Sequence, residues 1–273
     1  MNNSMISAMV SMGGIQQRLD MISDNIANLD TVGYKRKEAT FEDTLTAVQQ
    51  QISDLKLPGR VTPLGFNLGF GSNMAGVSIN FERGSIKETG NSTDLAIEGN
   101  ALFTVLTPEG EKAYTRAGDF HIQPDPADPD SAYLVTNQGY VVLNAEGDPV
   151  KVPAKSKLAI DDKGNIRATV GSTVTDAGRI ALMTPKRPDG LEQKDGNLFM
   201  LAPGAAENAV MVDTTTLPEK EQAHIRQGAL EASNVSLTDS MTDMMQVQRA
   251  YQLSARALTS SERMMELANN LRG

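Results

Sequence analysis

Cysteine is absent from the sequence, which removes disulfides, thiolate metal sites and a cysteine nucleophile and leaves the redox compartment open. Tryptophan is missing as well, and aromatic residues supply only 4% of the chain. Basic charge is in deficit: 25 Lys and Arg stand against 34 Asp and Glu, a formal net charge of −9. No block of Lys and Arg is dense enough to track a phosphate backbone, so nucleic acid is not an expected partner. No window approaches about 18 consecutive apolar residues, so no membrane span is expected. The N-terminus lacks a secretory pattern, because no basic residue precedes Arg18 and the apolar residues are spaced helically. Export would have to use another route. At 273 residues, the chain can bury a sizeable core in one or two compact units at about 150 residues each.

What the chain has is methionine, concentrated at its ends. Of 14 Met residues, five lie within residues 1–21 and five within 241–265, and unbranched thioethers suit helix contacts that adapt to several neighbours as readily as they fill gaps in a fixed core. Met1, Met5, Ala8, Met12, Ile15, Leu19, Ile22, Ile26 and Leu29 recur in steps of four and three, predicting a helix over 3–28 about 40 Å long. Gly33 can supply a left-handed exit from it. Toward the other end Leu237, Met244, Tyr251, Leu258 and Met265 recur every seven residues, and Val247, Ser254, Ser261 and Ala268 complete a heptad seam. Ser236 with Asp239 resembles a weak capping box, and a helix from there to Leu271 would span about 54 Å. Met and Ala rows bury less than Ile and Leu, so each seam needs a partner. The expectation is terminal helices that fray in the monomer and order when neighbours cover both sides.

Between the ends, Tyr34-Lys35-Arg36-Lys37 reads as a solvated basic flank, and Phe41, Leu45 and Val48 suggest a second helix over 38–52. Leu57–Gly76 is broken by Pro58, Gly59, Pro63, Gly65, Gly69 and Gly71 yet is too apolar for a free linker, which predicts extended chain on a surface. These glycines lack the Gly-Lys-Ser/Thr ending of a phosphate loop. From 74 to 213 short apolar or alternating runs, among them Leu95–Ile97, Ala101–Leu106, Tyr133–Val135, Tyr140–Leu143, Lys157–Ile160, Ile180–Met183 and Leu198–Met200, predict strands. Hairpin turns are expected at Pro108-Glu109-Gly110, Ala145-Glu146-Gly147, Asp162-Lys163-Gly164 and Lys194-Asp195-Gly196. Residues 123–131 read as an exposed loop and 227–234 as a short connection. The predicted fold class is α+β: long N- and C-terminal helices forming a coiled-coil-type assembly layer, and a central, mostly antiparallel β domain. The expected divisions are a helical assembly segment 1–52, a Pro/Gly-rich extended stretch 53–84, the β domain 85–218 and a second helical assembly segment 219–273.

Catalysis finds little support. Asp125, Asp128 and Asp130 could pair as acid and base, and His121 or His224 could join a Ser/His/Asp set. The aspartates, however, sit in a proline-rich loop, and two histidines offer little choice of site. No catalytic residue, cofactor or metal ligand is assigned. A free-standing β binding module on a coiled-coil stalk is the other alternative; it would form a fixed oligomer instead of an open polymer.

Three motifs in order give the sequence a family resemblance. Gln16-Gln-Arg-Leu-Asp-Met-Ile-Ser-Asp-Asn-Ile-Ala-Asn-Leu-Asp-Thr-Val-Gly-Tyr-Lys-Arg36 resembles the N-terminal signature of bacterial flagellar rod and hook proteins. Gln227-Gly-Ala-Leu-Glu-Ala-Ser-Asn-Val235, with Met241–Met245 and Gln248-Arg249-Ala250-Tyr251, is similar to the family's C-terminal signature. Thr89–Gly99 and Tyr114-Thr-Arg-Ala-Gly-Asp-Phe120 are similar to its middle segment. The Gln-Arg-Ala-Tyr wording and the length look most like distal-rod members. Ala101-Leu102-Phe103 replaces the family's frequent Gly-Phe-Phe, Gln252-Leu-Ser-Ala255 its frequent Glu-Leu-Asn-Ser, and the wording of Leu57–Gly76 departs from the distal-rod segment.

The resemblance implies a structural subunit of the flagellar basal-body rod, self-assembling into the hollow shaft that carries torque to the hook, with the terminal helices as inner layer and the β domain outside. A proximal-rod or hook-type axial subunit is the alternative within the family. Implied partners are copies of itself, other axial proteins of the proximal rod and hook, and the flagellar type III export apparatus; the implied address is the basal body. Implied assembly residues are Asn25, Ala27, Asn28, Thr31, Gly33, Tyr34, Lys35, Gln227, Gly228, Leu230, Asn234, Met244, Gln248, Arg249 and Tyr251. Asn25 and Asn28 are assigned to fixing the chain's exit from the first helix, the plainer reading being a helix cap or solvated amide, and Gln248 and Arg249 to contacts between helices.

Overall fold

The structure, a computed structural model, describes residues 2–43, 47–50, 65–68, 72–125, 128–154, 156–171, 173–194, 197–218 and 222–271. The chain divides into two compact units. One comprises Met1–Ile26, Lys37–Ser78 and Leu237–Gly273, the other Ala27–Arg36 and Ile79–Ser236.

The first unit begins with α1 (Asn2–Ala27). Its predicted stripe is the better covered side: Ile22 is buried and Met5, Ala8, Met12, Ile15, Leu19 and Ile26 are half-buried, while Ile6 and Met9 face solvent. Four strands follow, β1 (Lys37–Asp43), β2 (Ala47–Gln50), β3 (Gly65–Leu68) and β4 (Ser72–Ile79), pairing β1 with β4 and β2 with β3. The helix expected over 38–52 is therefore replaced by strands in its described part. The Ser78 hydroxyl donates to the Glu38 carbonyl and the Thr40 hydroxyl to that of Gly76, so this backbone is satisfied across to β4, and such pairing overrides a weak local helical pattern. The extended reading of Leu57–Gly76 also needs correction where the chain is described: 65–68 and 72–76 are paired strands, because glycine weakens a strand without forbidding it. Residues 57–64 and 69–71 lie outside the described residues.

The second unit is almost entirely antiparallel. Its strands are β5 (Ile86–Glu88), β6 (Leu95–Glu98), β7 (Leu102–Leu106), β8 (Lys112–Thr115), β9 (Phe120–Pro124), β10 (Ser131–Thr136), β11 (Val141–Val142), β12 (Lys151–Pro153), β13 (Lys157–Ile160), β14 (Asn165–Val170), β15 (Thr173–Arg179), β16 (Leu182–Pro185), β17 (Leu191–Gln193), β18 (Leu198–Leu201), β19 (Met211–Asp213), β20 (His224–Gln227) and β21 (Ala229–Glu231), with a short α-helical turn, α2 (Glu207–Val210), and 3-10 turns at Pro188–Gly190 and Thr214–Thr216. The main sheet runs β12-β10-β11-β7-β8-β18-β17, with β9 on β10 and β16 bridging β7 to β19; β13-β14-β15 form a smaller sheet. Side chains alternate across β7. Phe103 and Val105 enter the larger core, where Phe103 meets Phe120 edge-on at 5.0 Å. Leu102 enters a second cluster with Tyr114, Phe199 and Met211 on the other face. Gly110, Gly147 and Gly164 take the positive φ that their turns require (+83°, +91° and +85°); Asp195 and Gly196 lie outside the described residues. Of the loop expected over 123–131, residues 123–124 belong to β9 and Ser131 to β10, while 126–127 lie outside the described residues.

The connection expected over 227–234 is a further correction. His224–Gln227 pairs with β6 and Ala229–Glu231 with β5, separated by Gly228 at φ +77°. These short strands carry too few residues to show a period, and their partners lie more than 120 residues earlier in the chain. The first unit then resumes with α3 (Leu237–Asn270), 34 residues long. Its predicted seam is the covered side: Val247 is buried and Met244, Tyr251, Ser254, Leu258, Ser261 and Met265 half-buried, with Leu237 the exception; Ser240, outside the predicted rows, is buried too. Met241, Met245, Leu253, Met264, Leu267 and Leu271 are all more than half exposed.

Candidate functional site

Within the second unit the segments 28–36 and 229–234 meet at one place. Beyond α1 the chain turns through Asn28, whose carbonyl accepts from the Thr31 amide and whose side-chain oxygen accepts from the Thr31 hydroxyl at 3.1 Å. Gly33 follows at φ +67°, where a Cβ would stand 2.5 Å from backbone atoms of Arg116 and Ala117. Only glycine lets the strands close that far. The Gly33 amide donates to the Glu231 carbonyl at 2.8 Å, joining the N-terminal turn to β21.

This closure buries three charges. Lys35, Arg116 and Glu231 are 1%, 4% and 2% exposed. The Lys35 ammonium donates to Glu231 Oε1 at 2.8 Å and to the Glu82 carbonyl at 2.7 Å. Arg116 Nε donates to Glu231 Oε2 at 2.6 Å, and its two Nη groups to the carbonyls of Ala101, Ile97 and Gly99. Glu231 Oε1 also accepts the Gly84 amide at 2.8 Å. Two cations on one anion leave a buried surplus of positive charge, offset by four backbone carbonyls. Burial lowers the Lys35 pKa and also that of Arg116, the Glu231 charge working against it in both. For Glu231 burial pushes upward, but the charges of Arg116 and Lys35 and their hydrogen bonds together hold the carboxyl below its usual range.

A set of amides and glycines surrounds the cluster. Asn234 accepts the Arg36 amide at 2.7 Å and donates to the carbonyls of Asn80 and Glu82. Gln227 donates to Ser92 and Leu158 carbonyls and accepts the Ile160 amide, stitching β20 to the small sheet. The Gly228 amide donates to the Asp94 carbonyl, and its own carbonyl accepts from Thr89 and Gly90. Tyr34 is buried beside them, and Leu230 sits half-buried on β21 opposite Lys87.

The first unit has its own fastening. Asn25, buried on α1, donates to the Lys37 carbonyl and accepts the Lys37 amide, both at 2.9 Å, and Lys37 pairs with Asp24 at 2.6 Å. The basic run read as a solvated flank is thus divided: Lys35 is buried, Lys37 is ion-paired and Arg36 is half-buried.

The expected assembly residues fall into two groups. Asn28, Thr31, Gly33, Tyr34, Lys35, Gln227, Gly228, Leu230 and Asn234 meet in the second unit. Asn25, Ala27 at the exposed end of α1, and the α3 residues Met244, Gln248, Arg249 and Tyr251 do not join them; Gln248 and Arg249 are exposed and Tyr251 half-buried. Sequence reasoning assigned no role to Arg116 or Glu231, although both stand inside quoted motifs. A lone carboxylate in Ala229-Leu-Glu-Ala232 and an arginine two residues before Gly118 were the available signals, because a Cβ at Gly118 would lie 1.7 Å from the Leu95 carbonyl oxygen. Both histidines are exposed, the Asp128 amide donates to the Asp125 carbonyl and the Asp130 amide to the Asp128 carboxylate, and no group able to hold a metal ion occurs among the described residues.

The comparisons match the same three segments. The family described as flagella basal body rod protein matches residues 15–35, the flagellar hook protein FlgE/F/G D1 domain 96–168, and the flagellar basal body rod FlgEFG protein C-terminal region 226–271. The flagellar basal-body rod protein FlgG of Bacillus subtilis is 33% identical, with 100% of both chains covered. FlgG of Borreliella burgdorferi is 31% identical over 100% of this chain and 99% of its own, and the flagellar hook-basal body complex protein FlhP of Bacillus subtilis 30% over 100% of both. With all three segments gathered from distant parts of the chain and relatives matched from end to end, this chain belongs to the family of flagellar basal-body rod and hook proteins.

Proposed function

We propose that this chain is an axial structural subunit of the flagellar basal-body rod that polymerises through its terminal helices, with the buried Lys35–Arg116–Glu231 cluster as the rigid root from which they depart. The single observation that carries the reading is the pairing of a locked root with an unsatisfied helix. Leu253, Met264 and Leu267 lie 60–65% exposed on α3, and Leu271 just beyond its end 88%; at 100° per residue they point away from its covered seam. Apolar residues on both sides of a helix call for neighbours on both sides. Covered by copies of the chain, they form the inner coiled-coil layer of a tube, and the sheets lie outside. Torque passes through many such contacts in parallel, and through the root into each β unit.

The finer parts of the proposal are a distal position, contact with proximal-rod and hook proteins, delivery by the flagellar type III apparatus, and helices that order on assembly. Imaging basal bodies from a strain lacking this gene tests the position: the proximal rod should remain and everything beyond it should be lost. Intact hooks on such basal bodies would refute it. Sedimentation of the purified chain separates an open polymer from the fixed oligomer of a stalked binding module.

A further inference from the structure

In the second unit a cavity of about 100 Å³ lies beside the exit turn, lined by Thr31, Val32, Asp119, Asn137 and Asn197 among others. It shares Gln138, Tyr140 and Leu198 with a neighbouring cavity of about 280 Å³, whose walls include Pro108 and Met200 and whose lining carries Glu109, Glu111 and Lys194. Asn197 is 6% exposed. Its amide nitrogen donates to the Val32 carbonyl, and since that carbonyl can only accept, the assignment of the amide is fixed. Its Oδ1 is left buried with no hydrogen-bond partner, a situation that costs about 1–3 kcal/mol unless something fills it.

Three other groups that line this space each accept one hydrogen bond, and the two hydroxyls among them keep a proton to donate. The Asp119 carboxylate accepts from Asn137, the Thr115 hydroxyl from the Ala117 amide and the Thr136 hydroxyl from the Tyr140 amide. Burial pushes the Asp119 carboxyl up, with the Asp94 charge adding to it and the hydrogen bonds opposing, so a cation placed there would find an anion short of solvation. The occupant that fits brings donors, positive charge and an aliphatic stem: a lysine or arginine side chain. Elsewhere on the same unit Lys186 and Arg187 are exposed and in no ion pair among the described residues. Both of their amides donate to the Val210 carbonyl, which holds this basic pair at a fixed place.

We propose that the double cavity is a socket for the Lys186–Arg187 loop of a second copy of the chain. The basic head groups bind Asp119 and the glutamates, and their stems lie along Tyr140, Leu198 and Met200. Socket and loop are different surfaces of one molecule, so the contact is head-to-tail, the class that produces an open helical array. The inference rests on the self-assembly reading above and adds a contact between β units to that between helices.

The test is charge reversal with rescue in the full-length chain, followed by sedimentation under conditions where the unaltered protein polymerises. The pair E109K/E111K and the pair K186E/R187E should each raise the concentration needed for polymer by about tenfold, and the two pairs combined should restore it. Because the chain lacks cysteine, Gln138→Cys and Asp189→Cys can be placed on separate chains and mixed. A short bis-maleimide should then link the two into a species of twice the chain mass. Polymerisation unaffected by either reversal, additive defects without rescue, or no mixed cross-link would overturn the socket while leaving helix-driven assembly standing. An unaltered chain that never polymerises would overturn the self-assembly reading and the socket with it. A cavity occupied by water alone would give the first of these results.

Discussion

Replacing Glu231 with alanine removes the one anion between two buried cations. Lys35 and Arg116 would keep their backbone acceptors but lose their counter-charge at 2.8 and 2.6 Å. Breaking a buried pair by deleting one member costs about 3–5 kcal/mol, because the remaining charge stays desolvated. For a unit of this size each kcal/mol moves the melting temperature by about 2–4 °C, so Glu231→Ala should melt about 6–20 °C lower. Calorimetry on the full-length chain, following the transition of the β unit, reads this directly. Glu231→Gln should fall between the two, since it keeps an acceptor and loses the charge. Adding Lys35→Met to Glu231→Ala removes one stranded cation and should recover part of the loss, which distinguishes a charge effect from loss of packing. A shift below about 2 °C for Glu231→Ala, or an unchanged shift after Lys35→Met, would refute the assignment.

Acid should expose the same cluster. The folded carboxyl of Glu231 lies below its unfolded value, so its contribution is complete above the unfolded pKa of about 4.3 and is lost as pH falls through the folded pKa. The stability gap between the unaltered chain and Glu231→Gln, measured by urea titration, should therefore hold at neutral pH and close below pH 4. Asn25→Ala removes both bonds that fix Lys37 and should speed exchange of the Lys37 amide by roughly ten- to a hundredfold, as read by hydrogen-exchange NMR. Gly33→Ala and Gly110→Ala both place a side chain at positive φ, but only Gly33 meets backbone, at 2.5 Å, while Gly110 has nothing within 4 Å. Thermal melts should show about 1–2 kcal/mol of loss for Gly110→Ala and a much larger loss for Gly33→Ala. Equal losses would contradict the close approach at the exit turn.

The terminal helices were legible because their signal is periodic and long. The seven-residue row from Met244 to Met265 matches the covered side of α3, and the four-three row from Met5 to Ile26 that of α1. Most central strands were legible from apolar runs punctuated by glycine, down to Lys157–Ile160 residue for residue. Two of the failures share one cause. Residues 38–43 and 224–231 are strands because of partners far away in the chain, and no local pattern records such a partner. The charge cluster was hidden for the same reason. Lys35 looks like one of four polar residues in a basic run, and only its encounter with Glu231, 196 residues later, makes it a core residue. Asn197 is harder still, since an unsatisfied amide oxygen leaves no trace in composition or spacing.

That separation along the chain has a consequence for biogenesis. A polypeptide emerges from synthesis N-terminus first, so Lys35 and Arg116 are made long before the residue that neutralises them. Until Glu231 is made, this interior site holds only like charges and resists closing. A product that stops short of Glu231 therefore lacks the means to complete the β unit.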